Sequence, residues 1–291
     1  GPGPLPPHAY MQGIPTAKVR DRMEEAIGPL VQLLNSETVS AKSDWFNLQN
    51  AQLQLLPYKE TGVEIAVASQ VSPTGALAAG RFGLGMLSIG ATSTGGFNAL
   101  ASNWAIAEEA AVENGHRLDR SGWRLIGPVH VAETREKARE NVRFGLERWL
   151  EYMNEAAAAH QPPPRGVDPI DHMISTGFAV IGTPDDFVTQ IERLEAQSGG
   201  FGCFLVMDHH WADRFETMRS YELIARYAIP KINGLNHNRF SSEKWLKENH
   251  ALFRGEMTAA VKDKMAQYVA RKGERNLSPD MVAHFNKPDE S

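Results

Sequence analysis

The chain has 291 residues, 42% of them apolar, and a formal charge of −5, enough apolar side chain for one large core or two small ones. The mild acidity, with no basic stretch, argues against a nucleic-acid partner, and the lack of any run of about 18 apolar residues gives no reason to expect a membrane span or a signal peptide. A single cysteine, Cys203, excludes an internal disulfide and suits a reducing cytoplasm.

The predicted elements begin with a helix over 16–36, where Val19, Met23, Ile27, Leu30 and Leu34 recur at helical spacing. Residues 38–56 alternate apolar and polar and read as a small antiparallel hairpin. A strand over 63–68 then leads into a helix over 73–82. A second strand, 83–89, runs through GATSTGG into a helix over 97–114. A third strand, 123–131, precedes a helix from 134 to about residue 158. Residues 160–176 are proline-rich and aperiodic and read as a long ordered loop. A short strand, FAVIG, and a helix follow. Thr183, Pro184, Asp185 and Asp186 form a strong start signal for that helix. A fourth long strand, 201–207, ends in Asp208-His209-His210-Trp211. The charged tail, 234–291, reads as a helical extension appended to a domain over 1–233. Strands alternating with helices at this spacing indicate βαβ units, an α/β fold with a parallel sheet.

Chemistry concentrates where strands end. Ser72 and Pro73 read as the N-cap and first residue of a helix. Free N–H groups in its first turn would face the loop, a ready anion site. Ser69, Gln70, Ser72 and Thr74 add donors, while Gly75, Ala76, Ala78, Ala79 and Gly80 permit close approach. A phosphate cradle and a well-capped, tightly packed βα turn are both open on this pattern. The glycine-rich loop opening at Gly90 could also contact phosphate, or be a turn with Thr92 or Thr94 as helix cap. His209, His210 and Trp211 sit where a strand meets its loop. Adjacent residues of a strand point in opposite directions, so at most one histidine faces a pocket. No third ligand has helpful spacing, so no metal is expected. His130 reads as a satisfied core histidine, Arg81 as a helix-end cation and Cys203 as inert core. No side chain is assigned as catalytic acid or base.

The segment VASQVSPTGALAAGRFGLGMLSIGAT resembles the central part of the bacterial luciferase-like, flavin-dependent monooxygenases, in the limonene-monooxygenase-like branch. GPGPLPPHAYMQGI, IGTPDDFVTQIERLEAQSGGFGCFLV and HHWADRFETMRSYELIARYAIP resemble other segments of that family in the same order. The resemblance implies a (β/α)8 TIM barrel with functional residues at the C-terminal strand ends. The four long strands would be its fifth to eighth, so an incomplete barrel is expected: either an N-terminally truncated record or a natural half-barrel. Ser69, Gln70 and Ser72 would hold the phosphate of FMN, with Gly3 and Gly90 letting backbone approach the cofactor. His209, His210 and Trp211 would border the substrate pocket. Reduced FMN from a separate flavin reductase, with O2 as co-substrate, would oxygenate a small apolar molecule, in a homodimer. Two alternatives stay open: a deazaflavin-dependent oxidoreductase of the same fold, and a non-catalytic flavin-binding or partner protein.

Overall fold

The computed structural model describes residues 1–3, 5–59, 62–156 and 162–285. The predicted helix end near residue 158, the first two residues of the proline-rich stretch and residues 286–291 lie outside these. The chain divides into two compact units, Gly1–Ile232 and Asn233–Ser291.

In the first unit, helices α1 (Pro6–Met11) and α2 (Val19–Leu34) precede a hairpin of β1 (Val39–Lys42) and β2 (Asn47–Ala51). Then follow β3 (Ala66–Ser69), α3 (Thr74–Phe82), β4 (Gly85–Ser88), α4 (Thr94–Glu113) and β5 (Trp123–Val131). Next come α5 (Arg135–Val142), α6 (Leu146–Ala156), α7 (Pro169–Ser175), β6 (Val180–Gly182), α8 (Pro184–Ser198) and β7 (Cys203–Met207). The unit ends with α9 (Arg214–Leu223), a π-helical turn over Ile224–Ala228 and α10 (Ile229–Ile232).

The sheet has five parallel strands, one more than the four long runs predicted as barrel strands. β3 pairs with β4 and β4 with β5. β5 is the spine: Arg124–Pro128 pair with Cys203–Met207 of β7, and Val129–Val131 pair with Val180–Gly182 of β6. Pro128 lacks a backbone donor and stands at the handover between these two partners, where a proline interrupts pairing least. Among the described residues β3 and β7 have a strand on one side only, so the sheet is an open parallel arc of TIM-barrel type rather than a closed barrel.

One face of the arc is packed. Val67, Met86, Trp123 and Leu125 bury against Ala76 and Ala79 of α3 and Leu100, Trp104 and Ala107 of α4. Trp104 stacks on Trp123 at 4.8 Å, and Arg120 lies over both rings. Alternate residues on the other face lack that cover; Ala66, Cys203 and Leu205 are exposed. Cys203 is therefore not the core residue expected, because it opens a strand paired along one edge.

Two boundaries differ from expectation. The helix predicted from 134 onward breaks between α5 and α6. A Cβ on Gly145 would lie 2.1 Å from the carbonyl oxygen of His210, and its N–H donates to the carbonyl of Trp211. The loop after β7 thus packs into the break. Within the predicted loop 160–176, α7 forms because Asp168 caps the N–H of Ile170 and Pro169 sits at the first position. That helix buries Ile170 and Met173 in a second cluster with Val142, Leu146, Ile181 and Trp211.

The second unit holds α11 (His237–Glu248), α12 (His250–Lys272) and α13 (Pro279–Phe285), with Trp245 against Phe253 at 5.0 Å. Among the described residues no helix is long and apolar enough to cross a membrane.

Candidate functional site

The turn from β3 to α3 is fixed by backbone contact. A Cβ on Gly75 would lie 2.2 Å from the carbonyl oxygen of Ala68 and 2.9 Å from the Cα of Ser69. Only glycine lets the first turn of α3 sit directly on the end of β3. Ser69 is buried there, and its hydroxyl has no hydrogen-bond partner among the described residues. The first intrahelical donor is the N–H of Leu77, to Pro73. The N–H groups of Thr74, Gly75 and Ala76 therefore precede the helix ladder and are available as anion donors. Gln70 and Ser72 are exposed beside them. Ser72 makes no side-chain cap; Pro73 is already helical at φ −69° and ψ −13° and occupies the cap position. The expected serine cap is thus displaced by one residue, and its hydroxyl stays outside the helix.

The neighbouring turn shares this geometry. Ile89 donates its N–H to the carbonyl of Ser69, and a Cβ on Gly90 would meet the Gln70 side chain at 2.9 Å. Gly90 and the Ser69–Ser72 loop are therefore one locus. Ser93, rather than Thr92 or Thr94, caps α4 by accepting from the N–H of Gly96. Thr92 is instead buried, and a Cβ on Gly127 would lie 2.5 Å from its methyl group. Asn103, buried on α4, donates to the carbonyl of Gln70 at 2.9 Å and ties the loop down. Sequence reasoning missed Asn103; its signal was a lone amide on an otherwise apolar helix stripe. Gly3 adopts φ +84° with nothing within 4 Å of a would-be Cβ, while Gly1 is the residue that reaches Ala68.

His209, His210 and Trp211 lie beyond the end of β7. Three interstrand steps separate β7 from β3, about 14 Å. The two groups therefore share the C-terminal rim of the sheet without touching. The histidines diverge as expected. His210 is exposed, at φ +52°, with its N–H on the Asp208 carboxylate. His209 packs between Trp149 at 4.9 Å and Trp211 at 5.2 Å. Burial pushes its pKa down to about 4, against the opposing pull of Asp208, so it is neutral at pH 7. Its Nε2 and the Nε1 of Trp211 are buried without hydrogen-bond partners among the described residues. A cavity of about 20 Å³ beside them, walled also by His130 and Tyr221, has room for a water. His130 is buried and satisfied as expected, 3.2 Å from Asn141, which donates to Glu216. Its pKa is lowered by burial, opposed by Glu216 and Asp213. No cluster of side chains that could hold a metal occurs among the described residues.

Residues 1–202 match the family model described as luciferase-like monooxygenase. Limonene 1,2-monooxygenase of Rhodococcus erythropolis is 45% identical over 234 residues, covering 80% of this chain. The chain spans 60% of the length of that relative. The monooxygenase RslO1 of Streptomyces bottropensis superposes with a TM-score of 0.66 at 19% identity, over 78% of this chain and 66% of that one. The type II Baeyer–Villiger oxygenating component of 3,6-diketocamphane monooxygenase from Pseudomonas putida was solved with FMN. It superposes with a TM-score of 0.57 at 25% identity, over 80% of this chain and 70% of that one.

Proposed function

Because this chain belongs to the luciferase-like monooxygenase family, we propose that it works as an FMN-dependent monooxygenase. It would use reduced flavin and O2 to oxygenate a small apolar substrate. One observation carries the cofactor assignment: the buried, unpartnered hydroxyl of Ser69 beneath the free first-turn N–H groups of α3. Such a group is costly to leave unmet, and a phosphate would meet it. Ser69, Gln70 and Ser72 hold the phosphate in this reading, Asn103 fixes the loop, and Gly90 admits backbone close to the cofactor. Gly3 joins them on the family resemblance alone. Bound reduced FMN supplies the electrons for oxygen activation. The side chains of this protein position, shield and exclude water. His209 and Trp211, with Trp149, offer an apolar wall on the same rim. A neutral His209 adds no charge to repel an apolar molecule. His210, exposed on the other side of the strand end, is the histidine free to meet solvent or ligand. The name of the limonene-oxidising relative supports a terpene-like substrate.

Further parts of the proposal follow from the family resemblance: a separate flavin reductase and a homodimer. Residues 1–233 are read as the barrel-type domain, and 234–291 as an appended extension. The single cysteine supports a cytoplasmic setting.

The test is turnover. Purified protein is given FMN, a reductase with its nicotinamide donor, 18O-labelled oxygen and a monocyclic terpene. Labelled oxygenated product supports the proposal. Flavin binding without product favours the second reading, a flavin-binding protein without turnover. The open sheet, whose alternate face includes exposed Leu205, is the observation on that side.

A further inference from the structure

Away from both strand-end groups, a cavity of about 500 Å³ lies among α5, α7, β6 and α8, a volume typical of small-molecule sites. Three guanidinium-bearing residues line it, Arg135, Arg139 and Arg193, against one carboxylate, Asp186. Arg135 engages Asp186 through Nε at 3.0 Å and Nη2 at 2.6 Å. Arg139 uses Nη2 on Asp171 at 2.6 Å. Arg193 has no carboxylate partner among the described residues. It lies 3.8 Å over the ring of Phe97, with Nη1 on the carbonyl of Gly177 and on Gln190. Its burial lowers its pKa, the mark of a cation short of counter-charge.

We infer that this cavity is a binding site for a small oxyanion, a phosphate- or carboxylate-bearing molecule, distinct from the proposed flavin cradle. Guanidinium groups present paired donors in the geometry that such oxyanions accept. The Nη1 of Arg135 and the Nη2 of Arg193 have no hydrogen-bond partner among the described residues. Arg135 and Arg139 are met by Asp186, Asp171 and the nearby Glu136, whereas Arg193 faces the cavity with no carboxylate partner among the described residues. Partial burial of Arg193 then favours binding there, because a partly desolvated cation interacts more strongly than one in water. The inference does not rest on the monooxygenase reading, since none of these residues belongs to the β3–α3 turn.

The test is calorimetric titration of the full chain with pyrophosphate and, separately, citrate, which represent the two oxyanion chemistries, at constant ionic strength. Saturable binding of either is expected. It should weaken at least about tenfold in the Arg139→Gln/Arg193→Gln variant, and be unchanged in Arg81→Gln. Should the double variant fail to fold by circular dichroism, Arg139→Gln alone is read, because it leaves the contacts of Arg193 intact. No saturable binding, or equal affinity in the folded cavity variant, overturns the site.

Discussion

Gly75 shows how much a single missing methyl group decides. Alanine there would place Cβ against the Ala68 carbonyl and force α3 off the end of β3. Gly75→Ala should cost about 1–3 kcal/mol in urea unfolding, as overpacking does, and should weaken FMN binding with it. Ser69→Ala has the opposite balance: it removes an unmet buried hydroxyl, so the apo protein should keep its stability while FMN affinity falls. His209 gives a pH signature. Its native pKa of about 4 lies below its ordinary 6.5. The unfolded chain therefore binds the extra proton first as pH falls. Stability should be full above about 6.5 and decline between there and 4. His209→Phe should flatten that part of a melting-temperature profile; an unchanged profile would show that the ring is solvated in the native state.

At the scale of elements, caps and close contacts set the boundaries. Thr183 accepts from the N–H of Asp186, whose carboxylate in turn accepts from the N–H of Thr183. Arg135 beside that carboxylate holds its pKa at about 2. Thr183→Ala should cost about 1–2 kcal/mol of stability in chemical unfolding. Gly255 lies inside α12 with open space around it. Gly255→Ala should therefore leave the fold unchanged and raise the helicity of the second unit, worth about 0.5–1 kcal/mol. The sequence made much of this legible. Thr183-Pro184-Asp185-Asp186 announced α8, and the apolar runs announced β3, β4, β5 and β7 in order. It hid what depends on distant partners. The α5–α6 break rests on the loop at His210, far along the chain. α7 is only seven residues long, so its periodicity is too brief to stand out in proline-rich surroundings. At the candidate site, the turns carrying Ser69 and Gly90 were readable from their residues, and the structure places them side by side. The tie from Asn103 was not, because a side chain bonding a carbonyl 33 positions away leaves no local pattern.

At the scale of the whole chain, the first unit is defined by an arc of parallel strands packed on one face, with exposed alternate residues on the other. Free edges and exposed apolar residues of this kind promote strand pairing between chains. Leu205, 36% exposed on β7, lies on that surface, and Leu205→Glu should reduce self-association in sedimentation velocity. The proposed cradle at the β3–α3 turn, by contrast, takes Ser69, Gln70, Ser72, Gly90 and Asn103 from β3, α3, β4, α4 and their turns, elements that bury a common core. This turn is therefore expected to recognise a phosphate in the chain as it stands. The most direct measurement is a fluorescence titration of the full chain with FMN beside riboflavin, repeated with Ser69→Ala. FMN should bind more tightly by about 1–3 kcal/mol, with most of that difference lost in the variant. Equal binding of the two flavins, or an FMN preference that survives Ser69→Ala, would contradict the phosphate cradle.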